Sequence, residues 1–265
     1  MTATVISIVN QKGGVAKTTT AVNLGAGLAL RDQKTLLIDF DPQANLSHFL
    51  GIRCDSKIPQ VGDWIMDKCP NESVIKKTAF ENLSIIPSSE DLKGVEMDMQ
   101  KDFFKAFRYL DKKIKQIKDD YDFILIDNLP SFSLLFMNGI AACDYVLIPA
   151  KLEYLSMQGI NLLSSKINEI CENIKPVKIL GIVGTFYRRG VKESDICLEE
   201  LKKQLPQETL RTVINLNSKL SVSASYSKPI QHFDKNCQGY EDYQSLTEEV
   251  LAKCQLQKTL VTAGI

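Results

Sequence analysis

The amino-acid sequence predicts an α/β fold with a mainly parallel, twisted sheet and helices on both of its faces. The main observation is that short apolar runs, rich in β-branched residues, alternate with amphipathic segments of helical period along the 265 residues. Such alternation is typical of parallel sheets, because each helix returns the chain to the end at which the next strand starts. The 44% hydrophobic and 24% charged residues are ordinary for a globular protein and exclude a largely disordered or fibrous chain.

Seven apolar runs are predicted as buried strands. They comprise residues 5–9, 35–40, 83–87, 123–126, 145–149, 179–186 and 212–216. The first helix is expected to follow the first strand and to run through Leu30, and a later amphipathic helix is expected over residues 103–117. No linker or repeat divides the chain, so we expect a single domain over residues 1–265, with a frayed tail over residues 255–265.

Composition narrows the classes of function. The 32 basic and 32 acidic residues give no net charge, which argues against a protein that binds nucleic acid through its overall charge. The seven cysteines include no Cys-x-x-Cys pair, so zinc and iron–sulfur sites are not expected. No apolar run approaches the ~20 residues that cross a bilayer, and the N-terminus lacks the pattern of a signal peptide. A cytoplasmic protein without stable membrane insertion is therefore expected.

The most informative segment is residues 5–20, where a predicted strand leads through a glycine pair to a lysine and a run of threonines that open a helix. Gly13 and Gly14 allow backbone N–H groups to turn toward an anion, and the helix N-terminus adds a favourable dipole. Lys17 supplies a positive charge for β- and γ-phosphates, and the Thr18 hydroxyl is a ligand for Mg²⁺. A chance glycine turn before a helix is the alternative, but the lysine and the threonines favour a phosphate-binding loop.

This segment resembles the deviant Walker A motif Lys-Gly-Gly-x-x-Lys-Thr of the ParA/MinD group of ATPases, through Lys12, Gly13, Gly14, Lys17 and Thr18. The resemblance implies a P-loop NTPase of the deviant Walker A type, with ATP and Mg²⁺ as cofactors. It implies nucleotide contacts from Lys12, Gly13, Gly14, Val15, Ala16, Lys17, Thr18 and Thr19. Ala16 stands where the usual member of the family has glycine.

Acidic residues end two other predicted strands. Asp39 and Asp41 lie at the end of the strand at residues 35–40, and side chains two residues apart in a strand share a face. Because ligands bind at the carboxyl edge of open α/β sheets, we expect both acids near the phosphate-binding loop. An acidic turn stopped by Pro42 is the alternative. Asp127 ends another strand, where it is either a Mg²⁺ ligand or an exposed strand end.

The resemblance to the ParA family gives these acids roles. Asp41 matches the aspartate that orients the attacking water, Asp39 matches the preceding metal-side aspartate, and Asp127 matches the Walker B aspartate. The expected metal ligands are then Thr18, Asp39 and Asp127. The expected catalytic residues are Lys12, Lys17 and Asp41.

The resemblance also implies that a second protomer contributes to the nucleotide site. Lys12 matches the family's signature lysine, which reaches the ATP of the second protomer in a nucleotide sandwich dimer. An ATP-dependent homodimer with slow hydrolysis, stimulated by a ParB-like protein, is therefore expected. After Asp127 the family usually has two prolines, and Leu129 stands in place of the first.

Partition ATPases of this group bind DNA non-specifically as ATP dimers, so the local charge matters more than the total. Residues 175–192 hold five basic residues and no acids, and residues 211–235 hold four basic residues and one acid. A concentrated basic surface is enough for binding to phosphates, whereas solvated surface segments are the alternative. Lys219 matches a DNA-contacting residue of the family, and Arg188 and Arg189 lie close to another such position.

The sequence is therefore expected to encode a partition ATPase of the short ParA type, associated with the nucleoid. The competing hypothesis is a MinD-like or cluster-positioning ATPase that localises a protein cargo on membrane or nucleoid. Residues 251–265 match the amphipathic membrane helix of the MinD branch poorly, because they hold no Trp or Phe.

Overall fold

The computed structural model describes residues 2–53, 55, 57–101, 106–154 and 156–263. Within these residues eight strands form one sheet. The strands are β1 (Thr4–Ile8), β2 (Thr35–Phe40), β3 (Lys76–Lys77), β4 (Leu83–Ile86), β5 (Phe123–Asn128), β6 (Tyr145–Lys151), β7 (Lys178–Tyr187) and β8 (Thr209–Asn215). Their order is β3-β4-β2-β5-β1-β6-β7-β8, with β3 antiparallel to β4 and the other neighbours parallel.

Helices cover both faces of this sheet. Within the same ranges the α-helices are α1 (Lys17–Ala29), α2 (Asn45–Phe49), α3 (Val61–Ile65), α4 (Asn71–Val74), α5 (Leu92–Met99), α6 (Tyr109–Ile117), α7 (Leu134–Ala141), α8 (Ser156–Asn173), α9 (Lys192–Gln204), α10 (Ser218–Ser225), α11 (Ile230–Phe233) and α12 (Gln238–Ala263). Helices α1, α2 and α10 to α12 pack on one face, and α3 to α9 pack on the other. The predicted fold class is confirmed.

The seven predicted strands are all present, with ends that differ from the prediction by a few residues. Every residue of β2 is buried: Leu36 and Ile38 contribute to the core on one face of the sheet and Leu37 to the core on the other. A strand buried on both faces needs apolar residues at successive positions, which is why these strands were visible as continuous apolar runs. Strand β3 was not predicted, because its two lysines carry no apolar signal.

The amphipathic helix expected over residues 103–117 begins only at Tyr109. Phe103, at the start of the predicted pattern, lies outside the described residues. The fully buried amide of Asn138, in α7, holds this start in place. Its Oδ1 accepts from the backbone N–H of Tyr109 at 3.1 Å, and its Nδ2 donates to the carbonyl of Ala106 at 2.6 Å. A contact from a distant helix thus sets where α6 begins.

Helix α12 continues through Ala263. The frayed tail that the sequence predicted over residues 255–265 stays a prediction. The earlier turns of α12 pack against α1 and β8 with Tyr243, Leu246 and Val250 fully buried, and the Tyr243 hydroxyl lies 3.3 Å from that of Thr20 in α1. No helix among the described residues has the length and apolar character needed to cross a membrane.

Helix α12 also covers the edge of the sheet at β8. Glu249 accepts hydrogen bonds from the backbone N–H groups of Arg211 and Thr212 at 2.8 and 2.9 Å, and Asp242 accepts from that of Asn215 at 2.7 Å. These carboxylates engage edge donors that another strand needs for pairing. The arrangement protects this edge against sheet extension.

The parallel strands β1, β2 and β5 end at the same edge of the sheet. Asp127, near the end of β5, lies opposite Ile8 of β1 on one side and opposite Asp39 of β2 on the other. The phosphate-binding loop follows β1 directly. The register therefore brings the three sequence motifs together at the carboxyl edge, as the sequence predicted.

Gly27 in α1 is expected to be intolerant of a side chain. A Cβ at this position lies 2.2 Å from Oγ1 of Thr247 in α12, and this hydroxyl is held by a 2.7 Å bond to the carbonyl of Tyr243. Gly27→Ala is expected to lower the free energy of unfolding by ~1–3 kcal/mol, as overpacking does. Urea denaturation followed by circular dichroism measures this change.

The matched control is Gly94→Ala in α5, where a Cβ meets nothing within 4 Å. Its free energy of unfolding is expected to stay constant or to rise by up to ~1 kcal/mol, because alanine is the better helix former. Equal losses in both variants contradict the packing argument.

Candidate phosphate-binding site

The chain between β1 and α1 forms a tight loop at the carboxyl edge of the sheet. Gly14, with φ of 69°, and Ala16, with φ of 71°, both have a left-handed backbone. Glycine adopts this conformation freely, whereas it costs an alanine roughly 1–2 kcal/mol. The Ala16 methyl cannot cap α1, so the N–H groups of the first helical turn remain available to an anion.

Two buried polar side chains that the sequence pattern did not single out brace this loop. Asn10, directly after β1, donates from Nδ2 to the carbonyl of Pro149 at 2.8 Å and accepts from the backbone N–H of Lys12 at 3.0 Å. Thr185, in β7, donates from its hydroxyl to the carbonyl of Val15 at 3.2 Å. The loop is therefore fixed to β6 and β7 on the side of β1 that lies away from β5. A polar residue at a strand end is the only signal for Asn10, and the sequence holds none for Thr185.

Lys17 is buried beneath the loop, with 8% of its surface exposed. Its Nζ donates to the carbonyl of Lys12 at 3.1 Å, so the ammonium folds back under the loop. Burial lowers the pKa of Lys17, and the charges of Asp127 and Asp41 act in the opposite direction. The ammonium thus lies among acids in a poorly solvated place, where the negative charge of a phosphate is a strong partner.

The two carboxylate oxygens of Asp127 differ: one accepts a hydrogen bond, and the other is open, which means that it has no hydrogen-bond partner. Its Oδ2 accepts from the Thr18 hydroxyl at 2.7 Å, whereas Oδ1 is buried and has no hydrogen-bond partner. Burial raises the pKa of Asp127 to about 8, and the neighbouring Asp39 adds to this rise. A buried carboxylate oxygen without a partner is costly unless a ligand completes it.

This donor set fits Mg²⁺. The ion prefers oxygen ligands and is usually bound through one or two carboxylates, with waters and substrate phosphates filling the other positions. The open Oδ1 of Asp127 and the adjacent Thr18 hydroxyl supply such ligands. Among the residues described, no three His, Cys, Asp or Glu side chains form a cluster that could hold a metal by themselves.

Asp39 lies beside Asp127 and is fully buried. Its Oδ2 accepts from both the hydroxyl and the backbone N–H of Ser47 in α2, at 2.6 and 2.8 Å, and its Oδ1 accepts from the N–H of Asp41 at 3.4 Å. Burial raises the pKa of Asp39 to about 7, and the bonds from Ser47 oppose this rise. The structure thus brings Asp39 to the site but engages it with α2, and its predicted role as a metal ligand stays a prediction.

Asp41 and Lys12 lie at the rim of the site, and both are half-buried. Asp41 follows β2 and accepts from the backbone N–H of Gln43 at 2.9 Å, which shapes the turn toward α2. Its charge acts to raise the pKa of Lys17, so the two groups lie within range of each other's charge. The rim position of Asp41 leaves its carboxylate within reach of solvent.

Leu129 stands where the ParA family usually has proline, and both its side chain and its backbone N–H make contacts in the structure. Its side chain is buried in the core, and its backbone N–H donates to the side-chain Oδ1 of Asn128 at 3.0 Å. Proline has no N–H and cannot make this bond. The segment after Asp127 is therefore held here by packing and by an asparagine.

The three predicted DNA-binding residues come together at the same sheet edge. Tyr187 and Asn215, which end β7 and β8, are paired, and the chain continues from them into exposed Arg188 and Arg189 and into α10 with exposed Lys219. The Nζ of Lys219 lies 3.3 Å from a carboxylate oxygen of Asp234. Three basic side chains are thus exposed beyond β7 and β8, where the exposed acids Glu193 and Asp195 also follow at the start of α9.

A cavity of about 680 Å³ lies elsewhere, between α6, α7 and the end of α8, and includes none of the loop residues. Its charged side chains are largely occupied by one another: Lys112 pairs with Asp67 at 2.8 Å and Lys115 with Asp111 at 2.6 Å. The side chains of Lys17, Thr18, Asp39 and Asp127 do not line this cavity.

Comparison with known proteins agrees with the geometry of the site. Residues 3–179 match the family model described as an AAA domain. The chain is also 38% identical to the chromosome-partitioning ATPase Soj of Treponema pallidum, over 92% of this chain and 96% of that protein. The chain belongs to the ParA/MinD-type deviant Walker A ATPases. This ATPase hydrolyses ATP to ADP and phosphate.

Solved structures of the family share the fold. The septum site-determining protein MinD of Pyrococcus horikoshii, complexed with Mg-ADP, is 27% identical to this ATPase, with a TM-score of 0.78 over 94% of this chain and 96% of that one. Apo McdA of Cyanthece is 23% identical, with a TM-score of 0.84 over 94% of this chain and 99% of that one. This similarity indicates only that the two proteins have the same fold.

Opposite stability changes are expected for two substitutions in the loop of this ATPase. Ala16→Gly removes the strain of a left-handed alanine. Glycine also gives the unfolded chain more conformational entropy, which offsets part of this gain, so the free energy of unfolding is expected to rise by up to ~1 kcal/mol. Gly14→Ala introduces the same conformation for an alanine, where a Cβ meets nothing within 4 Å, and is expected to lower it by ~1–2 kcal/mol. Urea denaturation without nucleotide measures both, and two changes of the same sign contradict the backbone argument.

Proposed function

We propose that this ATPase partitions DNA: it dimerises on binding ATP, binds DNA non-specifically in that state, and hydrolyses ATP slowly until a ParB-like protein stimulates it. The observation that carries the proposal is the similarity to the chromosome-partitioning ATPase Soj over almost the whole of both chains. The exposed residues Arg188, Arg189 and Lys219, on the sheet edge that holds the phosphate-binding loop, support it. The place of action is then the nucleoid, in the cytoplasm.

The nucleotide site is proposed to hold ATP together with Mg²⁺. The backbone N–H groups of residues 13–19 and the Lys17 ammonium bind the phosphates, and Thr18 with Asp127 holds the ion. When bound, Mg²⁺ neutralises the charge that develops on the phosphates during transfer. Asp41, on the rim and within range of the charge of Lys17, orients the attacking water.

Lys12 is proposed to act on the nucleotide of the second protomer. It lies half-buried at the start of the loop, and its own carbonyl receives the ammonium of Lys17. In this proposal Lys17 serves the nucleotide of its own chain, and Lys12 serves the nucleotide of the partner. In such a dimer the nucleotide lies between the protomers, so their association depends on ATP.

The link between the nucleotide and the proposed DNA surface runs through β7. Thr185 donates to the carbonyl of Val15 in the loop, and Arg188 follows three positions later along the chain. Strand β7 is the second neighbour of β1, which places it ~10 Å away at the usual strand spacing. The two binding surfaces are thus adjacent parts of one edge, which supports DNA binding that depends on nucleotide.

The second candidate function is the positioning of a protein cargo on membrane or nucleoid. The observation that favours it is the 27% identity to the MinD protein of P. horikoshii over 94% of this chain. Both functions use the same ATPase cycle and differ in the surface that the ATP-bound dimer contacts.

Binding of the purified ATPase to DNA and to liposomes separates these functions. With ATP, we expect a gel shift of a random-sequence duplex that weakens steeply between roughly 50 and 200 mM salt, because binding to phosphates releases counterions. With ADP we expect no shift. Binding to anionic liposomes in the absence of DNA binding contradicts partition and supports the second function.

Lys219→Ala is expected to weaken DNA binding with ATP and to reduce the slope of log affinity against log salt by about 0.9 for each phosphate that the variant no longer neutralises. The control is Lys178→Ala, at the opposite end of β7, which is exposed and donates to Gln257. It removes the same charge from the amino edge and is expected to leave the slope unchanged. Equal effects of the two variants contradict a DNA surface at the carboxyl edge.

Asp234→Asn is expected to have the opposite effect. Asp234 pairs with Lys219 at 3.3 Å, and this pair must break before the ammonium contacts a phosphate. Exposed ion pairs are worth ~0.2–1 kcal/mol, so DNA affinity is expected to rise by about 1.4- to fivefold. Titration of a labelled duplex at fixed salt measures the change. The combination with Lys219→Ala is the control, because without the lysine the gain from Asp234→Asn is expected to shrink.

A further inference from the structure

One buried carboxylate joins three separate segments of the site. Asp39 is the penultimate residue of β2, Ser47 lies in α2, and Ser88 follows β4, and all three side chains are fully buried. We infer that Asp39 is a positioning residue, which holds α2 and thereby the loop that carries Asp41, and that it does not serve as a metal ligand. This inference rests on the proposed role of Asp41 in orienting water.

The Ser47 hydroxyl both donates and accepts within this group. It donates to Oδ2 of Asp39 at 2.6 Å and accepts from the backbone N–H of Ser88 at 3.1 Å. The backbone N–H of Ser47 donates to the same Oδ2 at 2.8 Å. Asp39 thus binds both the side chain and the main chain of α2, and through Ser47 it reaches the segment after β4.

Asp41 lies inside the loop that this carboxylate closes. Oδ1 of Asp39 accepts from the N–H of Asp41, and Oδ2 binds Ser47, so one side chain contacts the loop where it leaves β2 and again within α2. Between these contacts, Ala44 takes a left-handed backbone with φ of 53°, and its N–H donates to the carbonyl of Asp41 at 2.9 Å. Release of Ser47 frees the far end of this loop and shifts Asp41.

The two neighbouring aspartates have different bonding. Oδ2 of Asp39 already accepts two short hydrogen bonds, and a metal there displaces Ser47 and leaves its buried N–H without a partner. Oδ1 accepts from the N–H of Asp41 at 3.4 Å, and a metal there displaces the contact that closes the loop. Oδ1 of Asp127 is buried and open. The geometry assigns the metal to Asp127 and the placement of Asp41 to Asp39.

Steady-state ATPase kinetics of Ser47→Ala test this inference, because Ser47 lies outside the nucleotide site. We expect kcat to fall at least about tenfold, since small displacements of a catalytic group are costly. The KM for ATP, the Mg²⁺ concentration at half-maximal rate and the affinity for a fluorescent ADP are expected to stay within about twofold, because the phosphate and metal ligands are intact.

Ser88→Ala is the matched control. Its hydroxyl is buried without a hydrogen-bond partner, and the bond to Ser47 uses only the backbone N–H. Ser88 is linked to Asp39 only through Ser47. Ser88→Ala therefore removes no hydrogen bond of this group, and kcat is expected to be unchanged. An equal loss of kcat in both serine variants overturns the inference.

Asp39→Asn distinguishes positioning from metal binding and does not depend on the folding of Ser47→Ala. The asparagine oxygen still accepts from Ser47, and its NH₂ group gives up only the long 3.4 Å bond from the N–H of Asp41. The variant also loses the negative charge that strengthens metal binding. We expect it to retain most of the wild-type kcat with an unchanged Mg²⁺ requirement. A rise of about tenfold or more in the Mg²⁺ concentration at half-maximal rate shows a metal ligand and overturns the inference.

Asp41→Ala separates this inference from the proposed mechanism. If Asp41→Ala keeps its turnover, the role of Asp41 in orienting water is wrong, and the inference falls with it. If Asp41→Ala loses turnover while Ser47→Ala keeps it, only the positioning role of Asp39 is wrong.

Discussion

The burial of charged groups at the carboxyl edge of the sheet governs this structure. Lys17 is almost fully buried, and Asp39 and Asp127 are completely so, on neighbouring strands in register. Water cannot solvate these groups, so protein atoms must do so. The Thr18 hydroxyl serves Asp127, Ser47 serves Asp39, and the Lys12 carbonyl serves Lys17. The loop, the two strand ends and α2 keep their places because displacing any of them leaves a buried charge without a partner.

The sequence predicted what depends on local pattern and missed what depends on distant contacts. The strands were visible because burial on both faces requires continuous apolar runs, and the loop because glycines, a lysine and threonines follow the first strand. The start of α6 was misplaced because Asn138, in another helix, sets it. The engagement of Asp39 with Ser47 and the support of the loop by Thr185 were also invisible, since neither serine nor threonine spacing indicates such bonds.

The zero net charge of the chain averages over unlike places on one edge of the sheet. Asp39 and Asp127 are buried beside β1, where Lys17 and hydrogen bonds hold them. Arg188, Arg189 and Lys219 are exposed beyond β7 and β8, close in sequence to the exposed acids Glu193 and Asp195. An approaching polyanion meets the exposed groups of both signs. The parallel register delivers these successive strand ends to one edge.

The cover that α12 gives to the edge of β8 also sets an order of events during synthesis. Strand β8 precedes α12 in the chain, so a nascent polypeptide leaves the ribosome with the Arg211, Thr212 and Asn215 amides still lacking Glu249 and Asp242. The surface of α1 that receives Tyr243 is open over the same interval. An unpaired strand edge and an apolar surface are the features that favour misassembly between chains. Docking of α12 therefore removes both features at once, since the same helix covers the edge of β8 and the surface of α1.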